Sequence, residues 1–280
     1  MSAGREGGPA SSVPSLREPR YSQSLERGLA ILSVFTPTRP VLGIADIADG
    51  LGMSRSTTHR YVITLVALGY LEQNASRKYR LGVRVTDLGV AALHSSGLRE
   101  LAHPYLLELR ERSSRTTSLG VLDGSEVLYI DRVRSFRRGQ SAIEPDLHPG
   151  SRVPAYCTAI GKLLLAHLPE PEQHELIKGL TLTKRARHTI TSKKALREQL
   201  EQISGTGIAS SEEELAADVL AIAAPVRNQA GAVIAAVSIA ARRSLLSPDE
   251  LSDAPAMQLQ QTAEQISAQL GYQPDIERAS

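Results

Sequence analysis

The stretch IADIADGLGMSRSTTHRYVITLVALG, residues 44–69, decides the fold. Apolar residues recur at helical spacing from Ile44 to Leu51, which predicts a short helix with one buried face. Gly52 can adopt positive φ and end that helix, and Ser54 is suited to cap a second one. The second helix is predicted to bury Thr58, Val62, Leu65 and Leu68. A short helix, a glycine turn and a second helix are the parts of a helix-turn-helix.

The polar face of the second helix carries the groups that a DNA-binding protein needs. Guanidinium groups, hydroxyls and an imidazole lie near its start, where they can donate to bases and phosphates. The candidate contacts are Arg55, Ser56, Thr57, His59 and Arg60. A helical hairpin in an ordinary core is the alternative, because helix-turn-helix patterns are loose. A winged helix that binds only other proteins is a further alternative.

A two-stranded hairpin is predicted directly after the second helix. Residues 70–73 and 78–81 alternate as short strands, with a turn over 74–76. Such a ribbon is the wing of a winged helix-turn-helix. Arg77 and Lys78 lie at its tip and are candidate phosphate contacts, although a solvated hairpin would also explain these charges.

Two further helices are predicted to flank this unit. The first covers residues 24–35, and its buried face is predicted to hold Leu25, Leu29, Leu32 and Phe35. Ser24 and Arg27 at its start are additional candidate phosphate contacts. The other helix covers residues 85–97 and has a narrow apolar stripe. This helix either packs on the same unit or pairs with its copy in a second chain, and a dimer would read two half-sites.

Composition limits the classes of protein that this chain can belong to. Its 280 residues have room for two domains, and the net charge is only +2. Residues 1–98 hold 11 Lys and Arg against 7 Asp and Glu, so the positive excess lies with the predicted DNA-binding unit. Residues 1–20 are polar and low in complexity, which predicts disorder. No apolar run has the roughly 18–20 residues of a membrane span and no secretory signal is evident, so we expect a cytoplasmic protein.

The pattern beyond residue 98 predicts an α+β domain. A helix over 98–114, interrupted by Pro104, precedes a hairpin whose turn contains Asp123-Gly124. Further strands are predicted over 139–143, 219–226 and 232–240, and further helices from Thr158 and over 169–178, 192–203 and 248–270. Antiparallel strands with helices between them are typical of a sensor domain.

With these motifs in order, the chain resembles the IclR family of bacterial transcriptional regulators. The resemblance rests on SLERGLAIL, STTHR, LVALGYLE, KYRLG, PAYCTAIGKLLLA, GIASSEEEL and IAAPVRNQAGAVIAAVSI. YSQSLERGLAIL and PAYCTAIGK look most like the subgroup that controls aromatic-acid catabolism, of the protocatechuate or β-ketoadipate type. The implied organisation is a tail over 1–20, a winged helix-turn-helix over 21–84, a linker helix over 85–98, a GAF-like effector-binding domain over 99–272 and a tail over 273–280.

The resemblance also implies partners and a second site. Family members are dimers or dimers of dimers that bind duplex operators, as repressors or activators, and sense a small organic acid without a cofactor. The implied effector residues are Tyr156, Cys157, Thr158, Ala159 and Ile160 at the start of one helix, and Ser211, Ala221, Ser238 and Ala240 on the opposite wall. Because Ala221 and Ala240 are small and apolar, an aromatic acid is expected. Arg134, Arg137 and Arg138 are candidate carboxylate partners, with surface charge as the alternative.

A catalytic function would depend on Cys157, the single cysteine. A helix N-terminus can lower the pKa of a thiol, and one of the seven histidines could be its base. No cysteine-hydrolase signature surrounds it, however, and a lone cysteine is more often a small packing residue. The histidines are scattered without metal-ligand spacing, so neither a catalytic nor a metal site is expected.

Overall fold

The computed structural model describes residues 21–36, 38–94, 97–135, 147–245 and 247–273. The chain divides into two compact units, residues 1–92 and 93–280. The predicted tails over 1–20 and 274–280, the predicted strand over 139–143, Arg137 and Arg138 lie outside the described residues. No helix in the described part of the chain is long and apolar enough to span a membrane.

The first unit is built from short helices and a two-stranded ribbon. Its elements are α1 (Gln23–Ser33), α2 (Ile44–Leu51), α3 (Arg55–Ala67), β1 (Leu71–Gln73) and β2 (Tyr79–Leu81). The strands β1 and β2 pair antiparallel, and Leu42 forms an isolated bridge with Tyr79 of β2. The turn between α2 and α3 is made by Gly52 at φ +62°, as the sequence predicts. The helix-turn-helix and the wing are therefore both present.

The buried face of α1 differs from the sequence prediction. Phe35 is nearly fully buried, as predicted, but Leu25 and Leu29 are exposed, and Ile31, which was not predicted, is fully buried. The helix has two neighbouring apolar stripes, and periodicity alone does not select between them. Packing on α3 selects the stripe that contains Ile31. Leu68 is also exposed, because it caps the C-terminus of α3 rather than facing the core.

The helix α4 (Arg84–His94) crosses from the first unit into the second. The second unit then has α5 (Leu98–Ser113), which continues through Pro104 without interruption. It contains β3 (Thr116–Asp123), β4 (Glu126–Val133), β5 (Arg152–Pro154), α6 (Ala159–Ala166), α7 (Glu170–Gly179), α8 (Lys193–Thr206), β6 (Ala209–Glu212), β7 (Val219–Arg227), β8 (Val233–Arg242), α9 (Pro248–Ser252) and α10 (Ala254–Gln269).

Six strands of the second unit form one antiparallel sheet in the order β5-β4-β3-β8-β7-β6. One face packs against α6 and α8, and the other against α5 and α10. Because both faces are covered, the central strands are buried on both sides; in β8, every residue from 235 to 241 is buried. The short strands β5 and β6 at the sheet edges were absent from the sequence prediction.

The single C-terminal helix predicted over 248–270 is instead two helices, α9 and α10. Asp253 between them leaves the helical region at ψ −119°. Pro255, the second residue of α10, has no N–H to donate to Leu251, and its ring would clash with that carbonyl. The proline favours a break at this point, and the backbone breaks at Asp253, whereas α5 tolerates Pro104.

Candidate DNA-binding and effector sites

The start of α3 is held in place by its own cap. The Ser54 hydroxyl accepts from the Thr57 amide at 3.2 Å and donates to the Thr57 hydroxyl at 2.8 Å. Thr58 and Val62 are fully buried, so the opposite face of α3 must point outward. Because Thr57 is occupied by the cap and only half exposed, it is the least available of the predicted contacts.

The outward face of α3 is cationic. Arg55, Ser56, His59 and Arg60 are all exposed. Among the described residues, no carboxylate oxygen lies within 4.0 Å of a guanidinium nitrogen of Arg55 or Arg60. The first turn of α3 contains no acidic residue. These groups therefore form a projecting surface with donors available to an anionic polymer.

Three further polar groups belong to this surface. Ser24 and Arg27 of α1 both interact with the Tyr61 hydroxyl, and the Ser24 hydrogen bond is the largest cause that lowers the pKa of Tyr61. The guanidinium of Arg60 lies over the Tyr61 ring, 5.9 Å from its centroid. Sequence reasoning missed Tyr61, because a tyrosine at this helical position reads equally well as a packing residue.

The wing adds charge at its tip. Arg77 has φ +55° and closes the turn by donating its amide to the Asn74 carbonyl at 3.0 Å. Arg77 and Lys78 are exposed, as the sequence predicts. Arg80, by contrast, forms an ion pair with Glu72 across the ribbon at 2.7 Å. The charge available to a partner therefore lies at the tip and not along the strands.

A small cavity lies in the second unit between α6 and the sheet. Its lining residues are Tyr129, Arg132, Leu147, Cys157, Thr158, Ala159, Ile160, Ser211, Leu215, Val219, Ala221, Ser238 and Ala240. Eight of the nine residues predicted for the effector site are among them. Tyr156 is not, because its hydroxyl donates to the Thr183 carbonyl at 2.7 Å and accepts from the Thr183 amide at 3.1 Å, outside the cavity.

Arg132 supplies the guanidinium group of this cavity. The sequence analysis did not predict it. A bulge in β4 brings it there: Leu119 pairs with Asp131 but Gly120 pairs with Tyr129, so Ile130 is an extra residue. The bulge shifts the alternation, so that Tyr129 and Arg132 both line the cavity. Arg134, the predicted partner, donates instead to the Leu147 carbonyl at 3.2 Å and does not line the cavity.

The opposite wall is the start of α6. The Thr158 hydroxyl caps the helix by accepting from the Gly161 amide at 3.0 Å, and the Thr158 carbonyl accepts from the Lys162 amide. No acceptor is found among the described residues for the amides of Ala159 and Ile160, the first two of the helix. Gly161 permits this geometry, because a Cβ there would be 2.2 Å from the Ala155 carbonyl oxygen.

The cavity therefore combines three polar features with an apolar lining. The guanidinium of Arg132 donates to Ser118 at 3.2 Å, and its charge faces the same space as the α6 amides. Burial raises the pKa of Tyr129 to about 12, so its hydroxyl is a donor at neutral pH. Cations and a helix N-terminus favour an anion.

Comparisons with known proteins assign the chain to a family. Residues 24–75 match the IclR helix-turn-helix domain, and residues 90–268 match the C-terminal domain of bacterial IclR transcriptional regulators. The chain belongs to the IclR family of transcriptional regulators. Members of this family are ligand-responsive regulators and not enzymes, and their helix-turn-helix binds DNA.

Individual relatives support the assignment. The HTH-type transcriptional regulator XynR of Escherichia coli is 38% identical over 89% of this chain and 98% of its own. The Pca regulon regulatory protein of Pseudomonas putida is 31% identical over 84% of this chain and 79% of its own. Because XynR is the more similar of the two, the aromatic-catabolism subgroup stays a prediction.

A solved structure of the family contains a bound acid. The IclR homologue of Microbacterium hydrocarbonoxydans complexed with 4-hydroxybenzoate is 27% identical and superposes with a TM-score of 0.76, covering 88% of this chain and 98% of its own. The arrangement of an antiparallel sheet with helices on both faces is therefore shared with a family member that binds an aromatic acid.

The IclR chain does not use Cys157 as a nucleophile. Its side chain is fully buried, and burial raises the pKa of the thiol to about 12. The thiol is therefore protonated at neutral pH, whereas a nucleophilic cysteine must be a thiolate. This agrees with membership of a family of regulators. Among the described residues, no group of three or more His, Cys, Asp or Glu side chains is placed to hold a metal ion.

We expect the Cys157 thiol to resist alkylation in the folded protein. At pH 8 a pKa of about 12 leaves roughly a thousandfold less thiolate than the ordinary value of 9.0. Iodoacetamide labelling followed by mass spectrometry should be slow in buffer and fast in denaturant. Equal rates in both solutions would contradict this prediction.

Proposed function

We propose that this regulator binds a palindromic operator through α3 of two chains and that an aromatic carboxylic acid in the cavity changes its affinity for DNA. The proposal places base and phosphate contacts at Arg55, Ser56, His59 and Arg60, and phosphate contacts at Ser24, Arg27, Arg77 and Lys78. The observation that carries it is the cavity in which the Arg132 guanidinium and the unpartnered α6 amides face one space.

The cavity supports an acid with an apolar body. A carboxylate can accept from the Ala159 and Ile160 amides and from Arg132, while Tyr129 and Ser238 donate to a second polar group. The rest of the lining is aliphatic and includes Leu147, Leu215, Val219, Ala221 and Ala240. A bound 4-hydroxybenzoate in a relative agrees with this chemistry.

The size of the cavity supports a response to the effector. Its free volume is about 40 Å³, and a single water needs ~10–15 Å³. A benzoate ring enters only after the walls separate. The acid therefore binds a widened arrangement better than the closed one described here, and this difference in affinity is the energy available for switching.

Exposed apolar side chains support an assembly of several copies. Leu25 and Leu29 on α1 and Leu88 on α4 are each more than half exposed. Burial of such side chains against a second chain is favourable, at about 25 cal/mol per Å² of apolar area. We propose a homodimer or a dimer of dimers in the cytoplasm, with two helices α3 about 34 Å apart in successive major grooves.

The test is fluorescence anisotropy with DNA from upstream of the gene. We expect affinity to fall by about a thousandfold between about 50 and 200 mM salt, because Lys and Arg contacts with phosphate release counterions. Adding 4-hydroxybenzoate or benzoate should shift the affinity by roughly 5–150-fold, whereas pyruvate should not. Absence of salt-dependent binding would favour a protein-interaction module, and a response to pyruvate alone would exclude the aromatic effector.

A further inference from the structure

Two adjacent residues of β4, directly after its bulge, lie on opposite faces of the sheet. Arg132 lines the effector cavity, whereas Asp131 faces α5 on the other side. In a regular strand, successive side chains point to opposite faces of the sheet. At the bulge, two consecutive residues, Ile130 and Asp131, instead face α5. Ile130 shows this by belonging to the same buried core as Leu106 and Leu109 of α5.

Asp131 is buried and its two oxygens are used by different partners. Its side chain is 2% exposed, and Oδ2 lies 2.6 Å from Nδ1 of His103. Oδ1 accepts from the Arg132 amide at 2.8 Å and lies 3.9 Å from Nε of Arg99. One carboxylate therefore contacts both the backbone of the cavity residue and two side chains of α5. Loss of any one of these contacts is costly, since a buried carboxylate needs its partners.

The two α5 residues lie where the chain enters the second unit. Arg99 and His103 are separated by four residues and share one face of the first two turns. Gly97, at φ +61°, caps α5 and directly follows the segment that continues from α4. This end of α5 is therefore the part of the second unit's helical layer that follows α4 most closely in sequence.

We propose that Asp131 is a positioning residue that links Arg132 in the effector cavity to the first two turns of α5 through His103 and Arg99. This inference rests on the proposed function, since it names the route by which the same cavity acts on DNA binding. An acid that binds Arg132 competes with Ser118 for the guanidinium and moves residue 132. Asp131 follows because its Oδ1 holds the amide of that residue.

Amide hydrogen exchange of the full-length protein tests this link without an effector. Arg132→Met removes the guanidinium from the cavity, and we expect amides 101–103 and 105–107 of α5, on either side of Pro104, to exchange about tenfold faster as local opening becomes easier. Amides 196–203 of α8, on the other face of the sheet, should keep their rates. If the link runs through His103, adding Arg132→Met to His103→Gln should cause no further change.

The controls separate a link from general loosening. His174→Gln removes an exposed histidine of α7 and should leave α5 unchanged. If Arg132→Met does not fold, Ser118→Ala tests the same link. It removes the hydroxyl that accepts a hydrogen bond from the Arg132 guanidinium. Unchanged exchange in α5, equal acceleration in α8 or additive effects in the double variant would each overturn the proposal.

The outcome can be read separately from the proposed function. If the unsubstituted chain bound no DNA from upstream of its gene, the proposed function would fail, while the exchange comparison would still decide the link. If the chain binds DNA and responds to an acid, His103→Gln should retain both binding steps and lose most of the response.

Discussion

Replacing Arg55 and Arg60 together by alanine should abolish detectable operator binding or weaken it by at least about thirtyfold. Both guanidinium groups are exposed at the start of α3, and no carboxylate in the described residues competes for them. Each specific contact of an arginine contributes ~1–3 kcal/mol, so the loss of two corresponds to a fall in affinity of roughly 30- to 20,000-fold. Fluorescence anisotropy at fixed salt measures the effect.

The matched control removes the same charge from the other unit. Lys178→Ala with Lys194→Ala takes away two exposed ammonium groups of α7 and α8. Operator affinity should stay within about threefold of the unsubstituted chain, because neither lysine belongs to the predicted DNA-binding surface and exposed charges are screened by salt. Thermal stability of the Arg55 and Arg60 variant should also be unchanged, since neither side chain is buried. Unchanged operator affinity in that variant would remove α3 as the recognition helix.

Replacing Lys162 by methionine should destabilise the second unit by about 3–5 kcal/mol, because it leaves a buried carboxylate without its cation. Lys162 is fully buried in α6, and its Nζ lies 2.5 Å from Oε1 of Glu214 and 2.8 Å from Oε1 of Gln199. The other oxygen of Glu214 is buried and has no hydrogen-bond partner among the described residues. Urea unfolding followed by circular dichroism measures the change in free energy of unfolding.

The sign of the pH dependence follows from the carboxyl group. Burial raises the pKa of Glu214, while Lys162 opposes that rise. Without Lys162 the pKa of Glu214 in the folded state should rise further above its unfolded value. The folded carboxyl then holds its proton more tightly, so the loss of stability should grow as pH rises through that folded pKa and be smallest in acid.

Two comparisons identify the mechanism of that loss. Lys162→Met with Glu214→Leu removes both charges and should recover most of the stability, since apolar replacements of a buried pair are often neutral. Lys178→Met disrupts only the exposed pair of Lys178 with Glu175 and should cost less than about 1 kcal/mol. A double variant no more stable than Lys162→Met would show that packing, and not the unpaired charge, is the cause.

The helix-turn-helix was predictable because its signals are local. Gly52 ends α2 by adopting positive φ, and Ser54 caps α3 through its own hydroxyl; neither depends on distant residues. The exposure of Arg55 and Arg60 follows from the burial of Thr58 and Val62 on the other face. The order of the motifs also predicted the family, and the family matches confirmed it.

The choice between equivalent apolar faces was not predictable. Leu25 and Leu29 have the spacing of a buried stripe, yet α1 buries Ile31, because contact with α3 decides which stripe turns inward. Tyr156 follows the same rule at the cavity. Its position in the motif suggested a wall residue, but the short 3₁₀ turn over Ala155–Cys157 directs its hydroxyl to Thr183.

The amino-acid sequence by itself determined the helices, the turn and the cap that make a DNA-binding surface, since these depend on residues within one or two turns of each other. Only the tertiary structure decided that Arg132, and not Arg134, enters the cavity. The bulge at Ile130, which exists only in the pairing of β4 with β3, puts Arg132 on the face of Tyr129, whereas Arg134 lies beyond the end of β4 at Val133 and donates to the Leu147 carbonyl.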